Sequence, residues 1–71
     1  MHILVFKTNI ADKKEIRKLS PFLKTIEGII KWNVDLHDED KILRIVTPNL
    51  APAHISTIVQ QAGYHCSELE D

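Results

Sequence analysis

Ile30-Lys-Trp-Asn-Val-Asp-Leu-His37, then Asp38-Glu-Asp40, then Lys41-Ile-Leu-Arg-Ile-Val46, settles the architecture of this chain. Ile30, Trp32, Val34 and Leu36 alternate with Lys31, Asn33, Asp35 and His37. A period of two is the pattern of a half-buried strand. Residues 37–40 form a polar turn, and residues 41–46 read as the returning strand. The pair is a hairpin whose loop is longer than two residues.

On the N-terminal side, residues 3–8 are rich in branched and aromatic side chains and read as a strand. Leu4 and Phe6 are apolar at one parity, Ile3 and Val5 at the other. That marks a central strand, or one with a partly covered second face. Residues 12–26 follow with helical spacing: Ile16, Leu19, Leu23 and Ile26 share one stripe with Phe22 beside it, and Lys13, Lys14, Arg17, Lys18 and Lys24 lie opposite. Asp12 suits the N-cap, and Gly28 is placed to stop the helix. Pro21 removes one backbone donor, so a kink is expected there, or a restart capped by Ser20. Beyond the hairpin, residues 47–49 leave the sheet. Pro52 takes the first position of a helix whose stripe is Ile55, Ile58, Val59 and Ala62, ending at Gly63. Residues 64–69 read as a short last strand, and Glu70-Asp71 as a charged end. The order strand–helix–strand–strand–helix–strand predicts an α+β, ferredoxin-like βαββαβ sandwich. Its four-stranded antiparallel sheet has order 4-1-3-2, with both helices on one face and right-handed crossovers. Residues 1–71 are expected to form a single domain.

At 71 residues the chain is near the lower limit for a self-sufficient core. Its 44 % apolar content is normal for a globular domain, and its formal charge of −1 argues against a general nucleic-acid or acidic-membrane binder. A lone cysteine, Cys66, rules out an internal disulfide or a multi-cysteine metal site within one chain. The first residues lack a signal-peptide pattern, and no apolar run approaches the ~20 residues of a membrane span. A cytoplasmic location is expected.

In this order the motifs resemble a heavy-metal-associated domain, the module of small copper chaperones and of metal-pump N-termini. The residues that carry the resemblance are Phe6, Leu19 and Leu23, Gly28-Ile29, Val34-Asp35-Leu36 and Ala62-Gly63-Tyr64. The family's metal motif is Gly-Met-x-Cys-x-x-Cys. Counted back from Gly28 without a gap, it falls on Asn9-Ile-Ala-Asp-Lys-Lys-Glu15. Ile10 matches the methionine that packs under the loop, while Asp12 and Glu15 stand where the family has cysteines. Cu(I) prefers soft thiolates, so two carboxylates beside Lys13 and Lys14 are poor replacements. The resemblance thus implies the scaffold, with Asp12 and Glu15 read as cap and first-turn carboxylates or, failing that, as a hard-metal site.

Other candidates are weighed in the same way. His65 and Cys66 are strand neighbours pointing to opposite faces, which leaves Cys66 as a small core residue. His2 with the Met1 amine, and the acidic turn at 37–40, offer too few ligands for a firm metal site. Strand alternation sends Leu4, Phe6, Trp32, Val34, Leu36, Leu43 and Ile45 toward the helices. Ile3, Val5, Lys7, Ile42, Arg44 and Val46 are left on the open face. With no aromatic there, the stacking surface of an RNA-recognition sheet is missing. Two contact surfaces remain. One is an apolar strip of Ile3, Val5, Ile42 and Val46, suited to self-association or a partner. The other is the basic side of the first helix, Lys13, Lys14, Arg17 and Lys18, whose counterpart in the family docks an acidic partner domain. The expected function is a non-enzymatic protein-binding module with no cofactor, no nucleic-acid partner and no membrane partner. The alternative is a residual metal carrier using a histidine, Cys66 or the carboxylates.

Overall fold

The computed structural model describes residues 2–69; the Met1 amine and the Glu70-Asp71 end considered above lie outside them. Six elements follow one another: β1 (His2–Thr8), α1 (Lys13–Lys24), β2 (Lys31–Asp35), β3 (Ile42–Thr47), α2 (Pro52–Gln61) and β4 (Cys66–Glu68). The sheet is antiparallel with order β2-β3-β1-β4, which is the expected 4-1-3-2 read from the other edge. The architecture is the ferredoxin-like sandwich.

Register shows why the core forms. Leu4 lies opposite Ile45 and Phe6 opposite Leu43 across β1 and β3, while Trp32 and Val34 face the same two β3 residues from β2. These rows meet Leu19 and Leu23 of α1 and Ile55 and Val59 of α2 in one cluster, with Ile10 at its end. Phe6, Ile10, Leu19, Leu43, Ile45, Ile55 and Val59 are fully buried. At about 25 cal/mol per Å² of apolar surface, each such side chain stabilises the fold by roughly 1.5–3 kcal/mol.

The element ends depart from the expected ones for local reasons. α1 stops at Lys24 rather than Ile26, because the Thr25 and Ile26 amides turn back to Phe22 and Leu23. Pro21 sits inside a continuous helix with no restart at Ser20. The carbonyl that loses its partner belongs to Arg17, whose exposed position lets water replace the bond. β2 ends at Asp35 rather than His37, since the Asp35 carboxylate accepts the His37 N–H and begins the turn. β3 begins at Ile42: Lys41 has φ 47°, closes the turn, and donates its ammonium to the Leu36 carbonyl at 2.8 Å. Thr47 remains in β3 and is fully buried. β4 is only three residues, because Tyr64 and His65 direct their amides to the Val59 carbonyl and the Asn9 side chain.

Gly28 carries φ +102°, and a Cβ there would stand 3.0 Å from Asn49 Oδ1 and 3.3 Å from Leu50 Cγ. Gly63 has φ +101° with open space around it. Alanine at Gly63 therefore costs only the backbone term, about 1 kcal/mol, and Gly28→Ala adds a steric term for about 2 kcal/mol or more. Urea midpoints of the two variants will show Gly28→Ala as the weaker fold.

Candidate functional site: the junction of the first strand and first helix

The Thr8 side chain ends the buried row of β1. Its hydroxyl donates to the Lys41 carbonyl at 2.5 Å and accepts the Ile10 N–H at 3.2 Å. That pins Ile10 under the junction, the position where the sequence placed the motif's methionine. Asp12 has extended backbone angles, and its carboxylate accepts the Glu15 N–H at 3.0 Å, so it is the N-cap of α1. Glu15, one turn in, is half-buried. Its Oε2 accepts the Tyr64 hydroxyl at 2.5 Å, and its Oε1 lies 3.7 Å from Lys18 Nζ. Asn9 Oδ1 accepts the His65 N–H at 2.9 Å. Two links therefore tie the junction to the chain entering β4.

The carboxylates at the two cysteine positions are thus already engaged within the protein. Neither is soft, and Lys13, Lys14, Arg17 and Lys18 stand exposed on the same helix. This set does not fit Cu(I) or Zn(II). Among the described residues, no group of three or more His, Cys, Asp and Glu side chains is placed to hold a metal ion. His2, His37, His54 and His65 are exposed and scattered over separate segments. The acidic turn spends its groups locally: Asp38 accepts the Asp40 N–H, and Asp40 pairs with Lys7 at 3.4 Å. Cys66 is 6 % exposed and faces the core beside Thr8, and burial pushes its thiol pKa up.

No protein-family model and no curated protein matches the sequence. Solved structures do match the fold. The yeast copper transporter domain Ccc2a superimposes with a TM-score of 0.82 at 15% identity, over 100% of this chain and 99% of that one. The N-terminal domain of ZntA in its Zn(II) form gives 0.78 at 18% identity, over 93% and 89%. The Cu(I)-loaded first domain of the human copper chaperone for SOD1 gives 0.76 at 17% identity, over 93% and 89%. The chain has the fold of a heavy-metal-associated domain. Its one cysteine lies at position 66, outside segment 9–15.

The residues expected from sequence to form two contact surfaces lie on opposite sides of the sheet. Lys13, Lys14, Arg17 and Lys18 are exposed on α1, on the helical side of the sheet. On the open face, Ile3 is 65% exposed, Val5 and Val46 are half-buried, and Ile42 is buried at 5%. Ile42 therefore drops out of the strip. Leu69 joins it: its N–H donates to the Val5 carbonyl at 2.9 Å, which puts it in register opposite Val5 with 40% of its surface exposed. The partner of Glu15 was missed in the sequence, although Ala62-Gly63-Tyr64 stood out as a motif. The signal was topological, since β4 pairs with β1 and its entry must lie beside the β1–α1 junction.

Tyr64 donates to a carboxylate, so ionising it would set two negative charges side by side. The hydrogen bond to Glu15, then desolvation, then the charges of Glu15 and Asp12 push its pKa up to about 12. Because the folded value lies above the ordinary 10.0, this contribution to stability is complete below pH 10 and is lost as pH rises toward 12. Tyr64 is the only tyrosine, so tyrosinate absorbance reads it directly. Glu15→Gln will move that titration down toward the ordinary value. Asp12→Ala removes the cap and costs about 1 kcal/mol in urea unfolding.

Proposed function

We infer that this chain is a non-catalytic binding module that uses the metal-carrier scaffold for protein contacts. The Glu15–Tyr64 hydrogen bond carries this reading. It ties one of the two positions that would grip a metal into the domain's own structure, while Asp12 serves as a helix cap. What α1 offers outward is a stripe of cations, Lys13, Lys14, Arg17 and Lys18, with Lys24 at its far end. The positive end of the helix dipole adds to that field, so the surface suits an acidic protein partner. Proteins of the same fold include a yeast copper transporter domain and a Cu(I)-loaded domain of a human copper chaperone. The donor set described above gives this chain no matching grip. A lone, buried thiol is compatible with a reducing compartment, which supports the cytoplasm as its location. Among the described residues no helix is long and apolar enough to cross a membrane.

The open sheet face supplies a second contact surface. Exposed Ile3 and Leu69 flank half-buried Val5 and Val46, an arrangement that suits a second copy of the chain. Solution mass at micromolar concentration tests it: a dimer that Val5→Lys converts to monomer supports self-association, and a natural chain that is monomeric removes it.

Two experiments test the main reading. In titrations with Cu(I) and Zn(II) followed by amide shifts, the natural chain will show no saturable change at residues 9–15 and 64–66. The double variant Asp12→Cys/Glu15→Cys will gain Cu(I) binding. Specific micromolar binding by the natural chain would overturn the protein-contact reading in favour of a residual metal carrier. In cross-linking from native extract, the partner retained by the natural chain will be lost from a variant with Lys13, Lys14, Arg17 and Lys18 changed to Glu, and retention will weaken with added salt.

A further inference from the structure

At the other end of α1 the helix and the edge of the sheet leave a groove of about 400 Å³. Leu23, Ile26, Ile29 and Trp32 line it. Leu23 and Ile26 are buried, and Ile29 and Trp32 are half-buried. Ile30 stands on its rim with 54% of its surface exposed, a large apolar side chain presented to water. This volume is within the usual range of ligand sites, and the lining combines four aliphatic side chains and one indole with two lysines.

Two further features accompany the cavity. First, β2 is an edge strand, so one side of its backbone has no neighbouring strand to take its N–H and C=O groups. An extended segment laid along such an edge gains main-chain hydrogen bonds, and pockets beside the edge then select side chains. Second, the groove is bounded by cations. Lys24 lines it from the last turn of α1 and Lys31 from the first position of β2. Both are exposed, and among the described residues neither takes part in an ion pair. The other edge strand, β4, has three residues and carries Glu68, so it offers a shorter and oppositely charged margin.

We propose that the edge of β2 and the groove beside it bind an extended acidic peptide segment of a partner protein, with one large apolar side chain of that segment seated against Ile29 and Trp32. The segment's backbone continues the sheet along β2. Acidic residues on either side of the apolar one meet Lys24 and Lys31. The site is separate from the helix-start cations Lys13, Lys14, Arg17 and Lys18, and it gives the protein-binding module a sequence preference that a basic stripe alone would lack. It rests on the protein-contact reading only in the nature of the partner.

The test uses the full chain and a blocked peptide, acetyl-Asp-Glu-Val-Leu-Val-Asp-Glu-amide, followed by amide shifts and by fluorescence of the single tryptophan, Trp32. The expected result is saturable shifts confined to residues 23–34 with a change in Trp32 emission. A counterpart peptide with Lys at the four acidic positions will not bind. Lys24→Glu/Lys31→Glu should weaken binding by about tenfold, which two exposed ion pairs can supply. Ile30→Asp, at an exposed position whose amide spectrum reports whether the fold is kept, should abolish the shifts. Shifts confined to residues 12–18 would keep the basic-stripe reading and overturn the groove. No shifts anywhere would also overturn it. Tighter binding of decanoate than of the peptide would assign the groove to a lipid-like acid and overturn the peptide proposal.

Discussion

The two central strands must agree on which of their faces looks at the helices. β1 and β3 are paired so that Leu4 meets Ile45 and Phe6 meets Leu43. A slip of one residue would turn Phe6, Leu43 and Ile45 outward and carry Lys7 and Arg44 into the core, so the register is strongly specified. The junction above inherits that precision. Thr8 is the next residue on the inward parity after Phe6, and its hydroxyl is where the backbone of Ile10 is caught. Ile10 in turn fixes how the chain climbs to Asp12 and starts the helix. The position of Glu15 relative to Tyr64 thus follows from a choice of face made within β1.

A thiolate pair and a carboxylate pair at one helix start have different physical consequences. Thiolates hold a soft ion strongly and contribute little to capping. Carboxylates accept backbone and hydroxyl hydrogen bonds well, and charge-assisted bonds of this kind are the stronger ones. With Asp12 and Glu15 the junction gains a cap and a cross-link to the β4 entry. The same segment that would receive a cation in a carrier is here part of the domain's internal bonding, and the cations of α1 are what that helix presents to solvent.

Much of this was legible in the sequence, and the parts that were not have common causes. Alternation in residues 30–46 and the stripes of α1 and α2 are properties of period, and a period of two or of 3.6 survives any detail of side-chain packing. Element ends are decided by single hydrogen bonds. Asp35 ended β2 by taking the His37 amide, and the ammonium of Lys41 reached back to Leu36 while its backbone turned to φ 47°. No pattern announces such bonds. Ile42 is a different kind of miss: parity put it correctly on the open face, but parity says nothing of how much its neighbours cover it. At the junction, Asp12 as cap was readable from its place before the stripe. Tyr64 was not, because its bond to Glu15 spans 49 residues and depends on the three-dimensional meeting of β1 and β4.

Cys66 begins the shortest strand, at an edge of the sheet, with its carbonyl held by the Ser56 hydroxyl and the Gln60 amide of α2. Its sulfur is shielded while β4 is docked and becomes reachable when β4 lifts away. Because the chain has no other cysteine, the rate at which a thiol reagent consumes it is a clock for that one movement. Consumption faster than global unfolding would report local opening of this three-residue edge strand. In this single thiol the domain carries a native reporter of any opening of its last strand.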